Sequence, residues 1–348
     1  MSGDLTGALG GEGVPLLDKD GNFTFDNATK VALAPTDRII FDGQISGPND
    51  LDLYDLGELG AGDHILIDVQ ATGGNLDATA ALFDARQYVH AFNDDRAPDS
   101  SDLNPRIDVI IRGPTGPYYL GIAGFPGSNT AGPYRVSVVV ERGAGVPEPP
   151  TQIVYLNYRG GQGIVIRNVG VFDLPPFDAA DLGERYAGQT DFIKDRIEQI
   201  VLERYTGFRL LLLNSDNHPV PATAHSTIYF GAASRSAFAI SEQIDTHNAD
   251  PGDNSIIFTG SYRGAFAHAP TVEEMAMALG NTVAHEIGHL LGLVHTRDCR
   301  ELMDTTCGND SLLVEQTFGL APLDDSVFPV GFQNAPELLA WILGTLGV

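Results

Sequence analysis

Across residues 38–142 apolar and polar positions alternate in short runs, as in His64-Ile65-Leu66-Ile67-Asp68-Val69 and Tyr134-Arg135-Val136-Ser137-Val138-Val139-Val140, each closed by Gly, Pro, Asn or Asp. Alternation sends successive side chains to opposite faces of a strand, and no stretch here has the 3.6-residue period of a helix. An all-β sandwich is expected. Residues 1–37 are rich in Gly and Asp with little patterning, and are expected to form a loose arm. The run Arg142-Gly143-Ala144-Gly145-Val146-Pro147-Glu148-Pro149-Pro150 marks a linker over 143–151. From 152 to 348 the text is mixed. The apolar run Ile153-Val154-Tyr155-Leu156 reads as a strand, and a helix is expected over 190–205 with Phe192, Ile193, Ile197, Ile200 and Val201 on one stripe. Further strands are expected at 209–213, 227–230, 237–240 and 255–258, and a packed helix near Leu338-Leu339-Ala340-Trp341-Ile342-Leu343. The fold class is therefore multidomain: a β-sandwich followed by an α+β unit.

One helix of the second unit carries chemistry. Thr271 with Glu274 three residues on forms a capping box, and Val283, Ile287, Leu290, Leu291 and Val294 supply an apolar stripe, predicting a helix over 272–291. Within it stand His285, Glu286, His289, Gly292 and His295, the pattern H-E-x-x-H-x-x-G-x-x-H. Histidines at i and i+4 project from one face about one turn apart, so both imidazoles reach a single Zn²⁺. Glu286 is rotated about 100° from His285 and suits a metal-bound water better than the metal. Gly292 can take positive φ and turn the chain back, which makes His295 the third ligand. Three protein ligands leave one position open, the arrangement of catalytic rather than structural zinc.

Charge narrows the partners. Twenty basic against 46 acidic residues give a net charge of −26, which disfavours nucleic-acid phosphates and anionic lipid surfaces. Lys appears only at Lys19, Lys30 and Lys194, and an Asp-rich surface suits saline or calcium-containing surroundings as well as a solvated surface coded by a GC-rich genome. Asp245, Asn248, Asp250 and Asp253 form a candidate Ca²⁺ loop, with an Asx-rich turn as the plain alternative. Asp94 and Asp95 are a weaker pair of the same kind, with an acidic surface loop as the plain alternative, and His247 and His268 are candidates to approach the cleft, with a surface loop histidine as theirs. No apolar run reaches the roughly 20 residues of a membrane span, so no integral membrane segment is expected. The start Met1-Ser2-Gly3-Asp4 has no basic or apolar region, so no signal peptide is expected in the chain as given; a trimmed chain would read the same.

The motif resembles that of the metzincin clan of zinc metallopeptidases. Met303, eight residues after His295, stands where the clan has its Met-turn, at a matrixin-like spacing. The resemblance spans about 152–307 and implies a mixed sheet over the active-site helix, with the cleft below an edge strand, here assigned to 237–240. The N-terminal half resembles the bacterial pre-peptidase C-terminal domain in Asn49-Asp50-Leu51-Asp52-Leu53-Tyr54-Asp55-Leu56, Leu59-Gly60-Ala61-Gly62-Asp63, Asn93-Asp94-Asp95 and Gly132-Pro133-Tyr134-Arg135-Val136. The two resemblances imply a zinc endopeptidase of protein or peptide substrates, secreted by a bacterium or held at its surface, with Glu286 as general base. The alternative is a surface adhesin or binding protein with a vestigial zinc site, against which an intact Glu286 counts. Cys299 and Cys307, the only cysteines, are expected to pair across the Met-turn, since eight residues can close a loop; two reduced thiols in a cytoplasmic protein would read identically.

Overall fold

In the computed structural model of the chain, which describes residues 21–31, 33, 37–96 and 101–346, the alternating segments build two facing sheets. Their strands are β1 (Thr29–Lys30), β2 (Arg38–Ile45), β3 (Leu51–Leu59), β4 (His64–Ala71), β5 (Ala78–Phe83), β6 (Val89–Asn93), β7 (Arg106–Ile110), β8 (Gly116–Gly124) and β9 (Gly132–Glu141). One sheet has the order β1-β3-β8-β5-β6 and the other β2-β9-β4-β7. Ile65, Ile67 and Val69 of β4 and Val136, Val138 and Val140 of β9 all point inward and are buried, as a period of two requires. Tyr54 and Tyr134 cross this core with their hydroxyls 2.7 Å apart. The first 20 residues of the expected arm lie outside the described residues. Residues 32 and 34–36 do so as well, but 21–31 are not loose: β1 pairs with β3, and Phe25 stacks edge-on against Phe83 and Tyr119. Residues 144–151, within the expected linker, carry neither helix nor strand.

The second half contains β10 (Gln152–Asn157), β11 (Gly161–Ile166), β12 (Gly170–Leu174), α1 (Thr190–Arg204), β13 (Leu210–Asn214), β14 (Ser226–Phe230), β15 (Ala239–Ser241), β16 (Asn254–Ile257), α2 (Val272–His289), β17 (Leu320–Pro322), β18 (Phe332–Asn334) and α3 (Ala335–Leu343). Its main sheet has the order β13-β10-β14-β16-β15, parallel except for β15, which runs antiparallel along the edge. The apolar run of β10 follows from burial on both faces, and β14 and β16, buried likewise, open on polar residues before their own apolar ends. Val154, Leu156, Ile228, Phe230 and Ile257 pack toward α1 and α2, whereas Ile256 and Phe258 meet Ile166 and Leu174 of the β11–β12 hairpin. That hairpin carries Gly and exposed Val165 and Val171, and its weak alternation gave no strand expectation. Of the stripe expected on α1, Ile193, Ile197, Ile200 and Val201 are buried, but Phe192 is 38% exposed: it neighbours Ile193 in sequence and is rotated off the face that meets α2. Among the described residues no helix is long and apolar enough to cross a membrane.

Helix α2 begins as expected. Thr271 Oγ1 accepts from Glu274 N, and Glu274 Oε2 accepts from Thr271 N at 2.7 Å. Small residues on its inner face allow close approach to α1, and a Cβ on Gly280 would lie 2.8 Å from three carbons of Ile200. Replacing a mid-helix glycine by alanine normally gains about 1 kcal/mol, whereas overpacking costs about 1–3 kcal/mol. Gly280→Ala is therefore expected to lower the urea midpoint of the chain. A raised midpoint would contradict the tight α1–α2 contact.

Candidate metal centre and cleft

The last two turns of α2 carry His285 and His289 on one face, with ring centroids 4.7 Å apart. The helix closes at His289, two residues before the expected end, and Gly292 at φ 90° reverses the chain. A Cβ on Gly292 would stand 2.7 Å from the Asp245 carbonyl oxygen and 2.9 Å from the His247 nitrogen, so this position needs glycine for conformation and for space. His295 then comes back over the helix, its ring 4.7 Å from that of His289 and 5.3 Å from that of His285. One nitrogen from each of the three histidines falls within 4.8 Å of the others.

The donor set fits a metal ion. His285 Nδ1 donates to the Leu302 carbonyl and His289 Nδ1 to the Leu293 carbonyl, both at 2.8 Å. A carbonyl can only accept, so these bonds assign the tautomer and leave each Nε2 with its lone pair toward the common point. His289 Nε2 lies 3.0 Å from His295 Nε2, an approach stable only with a proton or a cation between them. Burial pushes all three imidazoles below their ordinary pKa: His289 well below, with help from the His295 and His285 charges, and His295 to about 3. Neutral imidazoles, two of them here held by backbone carbonyls, are the form that binds Zn²⁺.

Glu286 is buried beside this cluster. Ser241 Oγ donates to its Oε2 at 2.7 Å and Ser255 Oγ approaches the same oxygen at 3.4 Å. Burial raises the carboxyl to about 7, with the two serine hydroxyls opposing the shift. These serines sit on β15 and β16, and no motif marks them in the sequence.

Met303 lies beneath the histidines. Its sulfur occupies the place of a side chain at Gly288, where a Cβ would meet Sδ at 2.7 Å. Its turn is organised by a buried carboxylate that sequence reasoning passed over: Glu301 Oε2 accepts from Thr296 Oγ1 at 2.7 Å and from Met303 N at 2.6 Å, and Oε1 accepts from Gly319 N at 3.2 Å. No local signal marks it, since Arg300 and Asp304 make charge common in this stretch. Cys299 and Cys307 form a disulfide across this turn, with Cα atoms 5.6 Å apart. Asp304 stands near both sulfurs, but disulfide sulfurs are not available as metal ligands.

Edge strand β15 borders a trough on both sides of the histidines. A cavity of about 380 Å³ lies between residues 236–239 and the wall 304–312, with His285, Glu286 and His295 at its floor. A second, of about 280 Å³, is lined by Ala239, Ile240, Ser241, Gln243, Ile244, Glu286, His289 and His295. A third, of about 390 Å³, continues past Gln243 and Ile244 to Asp94, Asp95 and Arg106 of the sandwich.

The remaining candidates sit elsewhere. His247 does not reach the cleft: it is turned toward the sandwich, where its Nε2 donates to the His90 carbonyl at 2.9 Å. His268 lines a separate hollow with Arg185 and Phe266. In the acidic loop, Asp245 Oδ2 accepts from Asp250 N, Asp250 pairs with Arg167 at 2.8 Å, Asn248 donates to Gln152 and Asp253 accepts from Ser226. Among the described residues, Asp245, Asp250 and Asp253 do not belong to either cluster of close His, Cys, Asp and Glu ligand atoms.

Residues 187–324 match the family model described as matrixin. The resemblance expected over 152–307 is thus met from 187 and extends to 324, and at the level of the family it supports a zinc-dependent metallopeptidase. No curated protein matches the chain. Among solved structures, the chain is similar to the periplasmic inhibitor of g-type lysozyme from Aeromonas hydrophila, PliG, at 16% identity over 32% of this chain and 94% of that one, TM-score 0.26. It is also similar to the pre-peptidase C-terminal domain of a Bacillus anthracis collagenase, at 19% identity over 29% and 88%, TM-score 0.23.

Asp253 offers a test of the loop's electrostatics. Burial, aided by the Asp245 charge, raises its carboxyl from 3.8 to about 8. The folded chain then prefers the protonated form, so its stability is full below 3.8 and falls as pH rises toward 8. In a chelator-containing buffer Asp253→Asn, which keeps the shape without the charge, should gain thermal stability over wild type progressively across this window. Parallel melting curves with pH would contradict the buried carboxylate.

Proposed function

We propose that the chain is a zinc-dependent endopeptidase, with His285, His289 and His295 holding the ion and Glu286 as the general base. The observation that carries this reading is the convergence of three neutral imidazoles beside a buried, serine-held carboxyl on the floor of a trough. Zinc, when bound, acts as a Lewis acid toward a carbonyl oxygen and eases the deprotonation of water. Peptide lies extended along β15, whose outer edge has free main-chain groups, and adds itself as a further strand. Cavities on both sides of the histidines accommodate chain before and after the cleaved bond, which favours internal cleavage over removal of terminal residues.

Glu286 takes the proton of the attacking water as the new C–O bond forms, and returns it to the amine nitrogen as the C–N bond breaks. Ser241 and Ser255 both bond Oε2, which orients the carboxyl and leaves Oε1 for the proton. Met303 and the disulfide-closed turn brace the floor under His285. A vestigial site in a binding protein would have no use for this carboxylate or for its two hydroxyl partners. The acidic surface suits substrates that are not themselves strongly acidic, since like charges slow the encounter.

Glu286→Ala should retain zinc and lower peptide hydrolysis by ~10²–10⁴-fold. His295→Ala should lose zinc affinity and activity together. Metal content and cleavage of a peptide library, with and without chelator, check both. Equal cleavage by Glu286→Ala, or a zinc-loaded chain that cleaves no library member, would defeat the reading.

A further inference from the structure

We infer that the β-sandwich is a positioning element of the metal site, holding the segment that returns His295 to the helix. This rests on the zinc reading above. After Gly292 the chain leaves the helical hydrogen-bond ladder, and residues 293–295 depend on neighbours for their path. Leu293 N bonds the Gly288 carbonyl, both main-chain groups of Val294 bond the Gln333 side chain at 2.8 and 2.9 Å, and the His295 carbonyl accepts from Asp324 N at 3.0 Å.

Three routes tie these neighbours to the sandwich. Val294, the residue before His295, is 1% exposed and belongs to one apolar cluster with Leu51, Leu53, Phe83 and Phe92 of the sandwich. The turn from Asp324, which holds the His295 carbonyl, runs into Phe328, whose ring lies 5.6 Å from that of Phe83 and covers Gly121. On the opposite flank the carbonyls of His90 and Phe92 accept from His247 Nε2 and Thr246 Oγ1, both at 2.9 Å. The loop so held packs on Gly292, and its Asp245 N donates to the His289 carbonyl at 2.9 Å. The contact is continued by main-chain pairing of Phe332 N with the Gln87 carbonyl at 2.9 Å and by stacking of His90 on Trp341. A sandwich tethered only by its linker would need none of this.

The physical consequence is a ligand whose lone pair is aimed before metal arrives. If the sandwich shifts, the 293–295 segment loses the braces on its flanks, and with it go the placing of His295 and the Leu293 carbonyl that orients His289, while His285 keeps its bond to the Leu302 carbonyl. Groups that orient ligands from outside typically contribute 10–100-fold to metal affinity.

Gly121, in a sandwich strand, gives a handle remote from the metal: a Cβ there would stand 2.7 Å from Phe328 Cζ. Full-length Gly121→Leu should bind Zn²⁺, measured by competition with a chelating dye, at least about tenfold more weakly than wild type. The emission of Trp341, the single tryptophan, should shift as the sandwich is displaced. In the double variant Gly121→Leu with Phe328→Ala the new side chain takes the place of the lost ring, which should restore both readings, and a urea midpoint taken on each variant separates weakened zinc binding from loss of fold. Normal zinc affinity in Gly121→Leu with a shifted Trp341 emission overturns the inference. If Gly121→Leu does not fold, Thr246→Val decides alone: severalfold weaker zinc binding supports the positioning role, and unchanged binding overturns it. A His285→Ala control separates the premises, because zinc binding that survives this change sinks the three-histidine reading itself.

Discussion

The close approach of two imidazole nitrogens, His289 Nε2 and His295 Nε2 at 3.0 Å, is the constraint around which the second half of the chain is arranged. With no cation between them the pair is bridged by one proton, which His295 Nε2 donates because the Nδ1–H of His289 is already given to the Leu293 carbonyl. His289 is locked by the Leu293 carbonyl and by its place on α2; His295 is locked by the backbone that carries it. A cation at the meeting point would take the place of that proton, and the three rings already stand close enough to share one ion. Burial strengthens the effect, since it keeps the imidazoles neutral when solvent would protonate them.

The surrounding features follow from that constraint. Gly292 must be glycine because the chain reverses there against the 245–247 loop, and Gly288 must be small because Met303 fills the space beside it. Glu301 satisfies the amides and hydroxyl that the turn would otherwise bury unpaired, at the cost of a desolvated carboxylate whose pKa is raised by burial. Ser241 links the carboxyl of Glu286 to the edge strand on which an extended peptide would lie. A shift of that strand therefore moves the Glu286 carboxyl and the strand edge together.

The two halves of the molecule meet through apolar burial rather than through charge. Arg86 pairs with Glu337 at 3.0 Å, and the Arg112 guanidinium donates to the Trp341 carbonyl at 2.8 Å, but the centre of the contact is the cluster of Phe83, Phe92, Val294 and Phe328. Exposed ion pairs contribute little, whereas each buried aromatic or aliphatic side chain contributes about 1.5–3 kcal/mol. A chain with a net charge of −26 repels itself, and an apolar junction is less sensitive to that repulsion than one built from ion pairs.

Periodicity and local chemistry by themselves determined much of this protein. The alternating runs specified the sandwich strands, Thr271 and Glu274 specified where α2 starts, and the spacing of His285, His289, Gly292 and His295 specified three converging imidazoles. Each of these is a short-range property: the pitch of a strand or helix, or the φ that only glycine takes easily. The pairing of Cys299 with Cys307 is local in the same way. Tertiary structure alone decided what depends on distant segments meeting. Ser241 and Ser255 became partners of Glu286 because β15 and β16 lie beside α2; Phe192 was turned outward because α2 covers only one face of α1; His247 was drawn to the sandwich instead of the cleft. The docking of the sandwich against Val294 and Phe328 left no periodic trace, because a residue buried between two units reads the same in sequence as one buried within either.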